Sequence, residues 1–173
     1  MRLLVVVGDL AREPVDAVVR QVVDRHARLT GRPDPDLLHA AGPAAEAAFA
    51  ELMALNEPGS WTAGRATSTT GGDLVARWLI HVVVPEFSVR RPEHLLAAAY
   101  RGVLEVADGL GVRTLAMAPL GMTHPYWPLD VATRVATGTL TNTVTKVREV
   151  HLVVRTPAAS DAMAEAVARE APA

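Results

Sequence analysis

Short apolar runs alternate with segments of helical periodicity along this 173-residue chain. Each run has the length of a buried strand, and its apolar residues follow one another without the alternation of a half-exposed strand. The runs are LLVVV at 3–7, WLIHVVV at 78–84, TLAMA at 114–118 and VHLVV at 150–154. Core strands separated by helices indicate an α/β sandwich.

Helix-forming segments lie between and after these runs. They combine apolar residues at helical spacing with alanine-rich stretches, and glycine or proline stands near several of their ends. The predicted helices are residues 36–55, 92–110, 128–144 and 159–171. A further segment, RATSTTGG at 65–72, is rich in β-branched residues and closes on two glycines, so it predicts a strand and its turn.

Residues 14–29 carry two conflicting signals. Their valines and His26 recur at helical spacing behind Pro14, yet a high density of valine favours a strand. A short strand that runs into a helix satisfies both signals, and we expect the helix to cover residues 20–29.

The composition and the charge limit which partners and which cellular compartment we expect. A chain of this length with 50% hydrophobic residues can bury one core, so residues 1–173 are predicted to form one domain. The net charge is -2 and no cluster of basic residues contains aromatics, which argues against nucleic acid as a partner. The first apolar run ends in Gly8 and Asp9 without a cleavage-site pattern. We therefore expect a buried first strand, no membrane span and a cytoplasmic location, whereas the oligomeric state stays open.

The sequence lacks the patterns of several catalytic and metal sites. There is no cysteine, and the serines have no histidine or acid at a recognised motif spacing. The six histidines do not stand at the spacings of a metal site, so no metal and no cofactor is predicted. His81 lies inside an apolar run and is expected to pack and hydrogen-bond within the sheet.

A series of local strings follows one another in a definite order. The strings are VVVGDL, VDAVV, LLHAAGPAAEAAF, TAGRATSTTGGDL, RWLIHVVVP, LLAAAYRGVLEVADGLGVRTLAMAPLG and PLDVATRVATGTL with VHLVV. Together they resemble the macrodomain family, the modules that bind ADP-ribose. The resemblance implies a three-layer α/β/α sandwich with a mixed, mostly parallel sheet and a ligand cleft over the strand ends.

Two aspartates match functional positions of the family. Asp9, with Leu10 beside it, follows the first strand and matches the aspartate that accepts a hydrogen bond from the adenine amino group. A local turn contact is its alternative role. Asp34 stands eight residues before Gly42, the spacing of the aspartate that helps activate water in hydrolytic members. Its alternative role is to cap the helix that follows.

The first ligand loop departs from the family pattern. Val22 and Val23 stand near the position of a ribose-contacting asparagine, and valine cannot hydrogen-bond a hydroxyl group. Of the family's glycine run only Gly31 remains, followed by Arg32 and by a proline that has no N–H to donate. Arg32 brings a guanidinium that can bind an anion through its side chain.

APLGMTHPYWP, at 118–128, matches the family's second phosphate loop. Thr123 and Tyr126 replace glycines whose backbone amides normally reach the diphosphate, so close approach is impaired. Trp127 keeps an aromatic where the family often places one against the distal ribose, or it packs as a lid. His124 can donate to an anion or act as a base, or it is simply solvated. The candidate ligand-binding residues of this loop are Leu120, Gly121, Met122, Thr123, His124, Tyr126 and Trp127.

These features leave three candidate functions. The first is a divergent macrodomain that binds ADP-ribose or a related mononucleotide without catalysis. The second is a macrodomain hydrolase of ADP-ribose adducts, in which Asp34 holds the attacking water. The third is a structural or partner-binding domain whose cleft is closed by Arg32, Tyr126 and Trp127. We prefer the first.

Overall fold

The computed structural model describes residues 1–23, 35–55, 61–85, 87, 93–122 and 127–170. Within these residues, six strands occupy most of the predicted positions. They are β1 (Arg2–Val7), β2 (Ala17–Val23), β3 (Ala66–Thr70), β4 (Trp78–Val84), β5 (Thr114–Met117) and β6 (Glu149–Val154). The described ranges also contain five α-helices: α1 (Pro35–Ala40), α2 (Gly42–Ala54), α3 (Glu93–Leu110), α4 (Leu129–Asn142) and α5 (Pro157–Glu170). A short 3-10 helix, Leu10–Arg12, follows β1.

The strands form one mixed sheet in the order β1-β6-β5-β2-β4-β3. All neighbours are parallel except β3, which pairs antiparallel with β4 at the sheet edge. β2 lies between β5 and β4: residues 17–19 pair with both neighbours, and residues 20–23 pair with β4. The sheet confirms the mixed, mostly parallel arrangement expected from the sequence.

Two helical layers cover the two faces of the sheet. On one face, alternate strand residues such as Ile80 and Val82 pack with α3, α4 and α5 in a large apolar core. On the other face, Val18 and Leu79 pack with α1 and α2 in a smaller cluster. The chain is therefore the expected three-layer α/β/α sandwich. In the described parts of the chain, no helix combines the length and the apolar character that crossing a membrane requires.

The α1–α2 face of the sheet also contains a buried polar cluster. His81 is fully buried, its Nε2 lies 2.9 Å from the Thr69 hydroxyl, and its Nδ1 lies 3.5 Å from Nη1 of Arg20. The ring of Phe49 packs against the imidazole at a centroid distance of 4.4 Å. Burial, with a contribution from the Arg20 charge, lowers the pKa of His81 to about 3. The expected role of His81 within the sheet is confirmed.

Two predicted helices need correction. The helix expected over residues 20–29 is wrong as far as Val23, because β2 continues through those residues, and residues 24–29 lie outside the described ranges. The pairing with β4 continues through Val23, whereas the pairing with β5 ends at Val19, and valine suits a strand. The helix expected over 36–55 is interrupted, because Gly42 adopts a left-handed φ of 78° where α1 gives way to α2.

Candidate functional site

The parallel strands end at one edge of the sheet, where α/β proteins commonly bind ligands. The turn after β1 (residues 8–13) and the loop after β5 (residues 118–128, of which 123–126 lie outside the described ranges) both start at this edge. Of the predicted site residues, the structure describes Asp9, Leu10, Leu120, Gly121, Met122 and Trp127 there. The other predicted site residues lie outside the described ranges: Gly31, Arg32, Asp34, Thr123, His124 and Tyr126.

Asp9 stands at the turn that leaves β1. Its Oδ1 accepts a hydrogen bond from the backbone N–H of Ala11 at 3.1 Å, which caps the 3-10 helix. Its Oδ2 lies 3.6 Å from Nε of Arg12, and the side chain is 63% exposed. A carboxylate can accept several hydrogen bonds, so this capping contact leaves capacity for a ligand donor. Leu10 packs against the smaller apolar cluster.

The amides of the loop after β5 are engaged within the protein. The N–H of Leu120 donates to the Tyr100 hydroxyl at 2.9 Å, and the N–H of Gly121 donates to Oε1 of Gln21 at 2.9 Å. The next amide, of Met122, donates to the carbonyl of Pro119 at 3.2 Å. Three consecutive donors of this loop are therefore occupied, which strengthens the expectation that the loop is poorly suited to cradle a diphosphate.

Trp127 is buried, with 4% of its surface exposed. Its indole N–H donates to the carbonyl of Pro85 at 2.9 Å, and its ring meets Phe87 edge-on at 5.2 Å. The indole also lies against Gly121, whose φ of 83° and missing side chain permit the close contact. The structure thus shows Trp127 joining the ends of β4 and β5, while its contact with a ligand stays a prediction.

Two residues that hold the loop after β5 were not anticipated from the sequence. Gln21 is the one neutral amide in the strand sequence AVVRQVV, and Tyr100 lies within the apolar face of α3. Burial raises the pKa of Tyr100, so its hydroxyl stays neutral and accepts the Leu120 bond. The partners of both residues are distant in sequence, which is why local patterns did not reveal them.

The turn after β1 has its own tertiary contact, made by an ionic cluster. Nδ1 of His151 in β6 lies 3.0 Å from Oε2 of Glu13, and its Nε2 lies 2.8 Å from Oε1 of Glu149. Another oxygen of Glu13 approaches Gly8, just before Asp9. Burial by itself lowers the pKa of His151, but the two carboxylates outweigh it and raise that pKa above its ordinary value.

The described residues at this edge of the sheet show no metal centre. Among the residues that the structure describes, no three histidine or acidic side chains are grouped as metal ligands would be. His151 and its two carboxylates do not form such a group, because the acids contact opposite nitrogens of the ring.

Comparisons with known proteins agree with this architecture. The family model described as Macro domain matches residues 24–136. A macro domain-containing protein of Streptomyces coelicolor is 37% identical over 158 residues, which cover 91% of this chain and 93% of that protein. The O-acetyl-ADP-ribose deacetylase of Klebsiella pneumoniae is 29% identical over 152 residues, 87% of this chain and 85% of that protein.

A solved structure shows the same fold. The macrodomain of Oceanobacillus iheyensis, as a glycine-to-valine variant with ADPR, superposes with a TM-score of 0.75 at 25% identity. The match covers 95% of this chain and 91% of that one.

Proposed function

Since this chain belongs to the macro domain family, we propose that it binds ADP-ribose or a related mononucleotide at the carboxyl-terminal edge of its sheet. The observation that carries the proposal is the placement of Asp9. Its exposed carboxylate stands at the end of β1, on the same sheet edge as the loop after β5. A nucleotide base that contacts Asp9 would extend its phosphates along this edge.

Asp9 is proposed to recognise the adenine amino group. An ionised carboxylate that is already oriented by the Ala11 amide can accept a further hydrogen bond at little additional cost in side-chain entropy. The nearby Arg12 side chain is exposed and lies along the same turn, so it does not bury the carboxylate. Leu10 is proposed to contact the base beside Asp9.

The phosphate end is proposed to differ from that of a diphosphate-binding loop. The amides of Leu120, Gly121 and Met122 already have acceptors, and Thr123 and Tyr126 stand where glycines are expected. Arg32 and His124 are then the side chains proposed to bind the anion.

The first ligand loop retains one spacing seen in a relative. The Oceanobacillus macrodomain has been solved as variants of a glycine and of an aspartate three residues further on. Gly31 and Asp34 have the same separation in this chain. This spacing supports placing both residues at the proposed site.

Calorimetric titration with ADP-ribose and AMP tests the proposal. We expect binding to the wild type and a loss of about tenfold in affinity for both ligands in Asp9→Ala, equivalent to about 1.4 kcal/mol. Asp161→Ala is the matched control, since Asp161 is an exposed aspartate near the start of α5. The absence of heat with either ligand, from a wild type shown to be folded, would contradict nucleotide binding and favour the partner-binding function.

Hydrolysis of ADP-ribose adducts is the second candidate, favoured by the name of the Klebsiella relative. We expect little or no turnover, because the loop around Asp34 lacks most of the family's glycines. The measurement is acetate release from O-acetyl-ADP-ribose by the wild type and by Asp34→Ala. Turnover that disappears in a folded Asp34→Ala variant would establish the hydrolase.

The remaining expectations also belong to the proposal. We propose that residues 1–173 act as one domain, in the cytoplasm, on a small-molecule ligand. Neither nucleic acid nor a membrane is a proposed partner.

A further inference from the structure

Gln21 lies in β2, beyond the end of its pairing with β5, and both strands border the proposed site. The β2–β5 ladder pairs Ala17 with Leu115 and ends where Val19 pairs with Met117. Gln21 lies two residues beyond that last pair, and 7% of its surface is exposed. The backbone link between β2 and β5 has therefore ended at the height of Gln21.

The side chain of Gln21 replaces that backbone link. Its Oε1 accepts from the N–H of Gly121 at 2.9 Å, and its Nε2 reaches the carbonyl of Pro119 at 3.5 Å. One carboxamide thus contacts both an acceptor and a donor of the loop backbone, as a strand neighbour would. Because the contacts are buried, an apolar side chain here would leave the Gly121 donor without a partner.

We propose that Gln21 is a positioning residue that sets residues 119–121, at the start of the loop after β5, relative to β2 and so determines ligand affinity. The proposal rests on the nucleotide-binding function proposed above. Gln21 acts through the backbone of Pro119 and Gly121, and not through contact with the ligand. Its contribution differs from that of Tyr100, which holds the neighbouring Leu120 amide from the helix side.

Two variants separate hydrogen bonding from packing. Gln21→Met keeps the length and approximate volume of the side chain but removes both polar contacts. Gln21→Glu keeps an acceptor for the Gly121 amide and loses the donor to Pro119. Thr69→Val is the matched control: Thr69 is as buried as Gln21, and its hydroxyl bonds to His81 on the opposite face of the sheet.

The first measurement is amide hydrogen exchange of Gly121, followed by NMR in the ligand-free protein. We expect protection of this amide to fall at least about tenfold in Gln21→Met, and to stay near the wild-type value in Gln21→Glu and Thr69→Val, since an acceptor remains in both. Unchanged protection in Gln21→Met, or an equal loss in Thr69→Val, would overturn the positioning role.

The second measurement is the affinity for ADP-ribose and AMP. We expect Kd to rise about tenfold in Gln21→Met and to change less than twofold in Thr69→Val. If Gln21→Met loses the exchange protection of the Gly121 amide but keeps the wild-type Kd, the link to affinity is overturned. If the wild type binds neither nucleotide, the proposed function and this link to affinity both fail, and the exchange experiment still decides whether Gln21 positions the loop.

Discussion

The loop after β5 and the turn after β1 flank the same edge of the sheet, but they are held in opposite ways. Neutral, buried hydrogen bonds hold the β5 side: they are made by Gln21 of β2, Tyr100 of α3 and Trp127, which precedes α4. The β1 side depends on a local cap by Asp9 and on an ionic contact between Glu13 and His151.

We therefore expect the contacts of the β5 side to be independent of salt and pH, and those of the β1 side to respond to both. Buried neutral bonds are insensitive to salt and pH, and breaking one leaves a polar group without a partner. A solvent-exposed cap contributes less, and an ionic contact changes with protonation. At the proposed site, the β5 side would determine which ligand fits, and the β1 side would adjust how strongly the base is held.

Replacing Trp127 tests the contacts of the β5 side and has the largest expected effect. Trp127→Ala removes a buried ring and the hydrogen bond to Pro85, so the free energy of unfolding should fall by about 3–5 kcal/mol. Asp9→Ala, the corresponding change on the other side, should cost about 1 kcal/mol or less. Urea unfolding of both variants checks the contrast. Equal losses of stability would remove the distinction between the two sides.

Measuring stability over a range of pH tests the ionic contacts of His151 on the β1 side. Because the pKa of His151 is raised in the folded state, its stabilising contacts are fully present below pH 6.5 and are lost as the pH rises through the folded pKa. We expect His151→Gln to be about 1–2 kcal/mol less stable than the wild type near pH 6, with a difference that shrinks toward pH 9.

The control for this series is His39→Gln, because His39 is highly exposed on α1 although it also lies near an acid, Glu46. Urea unfolding at each pH should show no comparable trend for that variant. A stability difference for His151→Gln that stays constant or grows between pH 6 and pH 9 would contradict the ionic character of the β1 side.

Local sequence patterns predicted the sheet better than they predicted the helices around it. Continuous apolar runs marked β4, β5 and β6, because buried strands in a parallel sheet need apolar residues on both faces. A similar run marked β1, but the expectation that this strand is buried was wrong, because β1 lies at the sheet edge and is only partly buried. The valines of β2 also occur at helical spacing, and the pairing with β4 through Val23 is what makes residues 20–23 a strand. The break at Gly42 depends on the left-handed backbone of that glycine, which the alanine-rich sequence around it does not indicate.

The site was predictable where a residue acts locally. Asp9 was expected to follow the first strand and does so, and its alternative role as a local hydrogen-bond acceptor is present, while its contact with a ligand stays a prediction. Gln21 was missed because its two contacts lie about a hundred positions along the chain. Sequence position alone did not distinguish Trp127 as a packing residue from Trp127 as a ligand platform, since the difference lies in the carbonyl that its indole reaches.

The pairing of β1 with β6 has a consequence for the order of folding. Arg2 pairs with Glu149 and Val7 with Val154, so the first of the six described strands pairs with the last of them. Contacts of such long sequence separation slow folding. Until β6 emerges, LLVVV remains an apolar strand without its edge covered, which is the kind of segment that associates with other chains. The yield of folded protein should therefore depend on how β1 is shielded during synthesis.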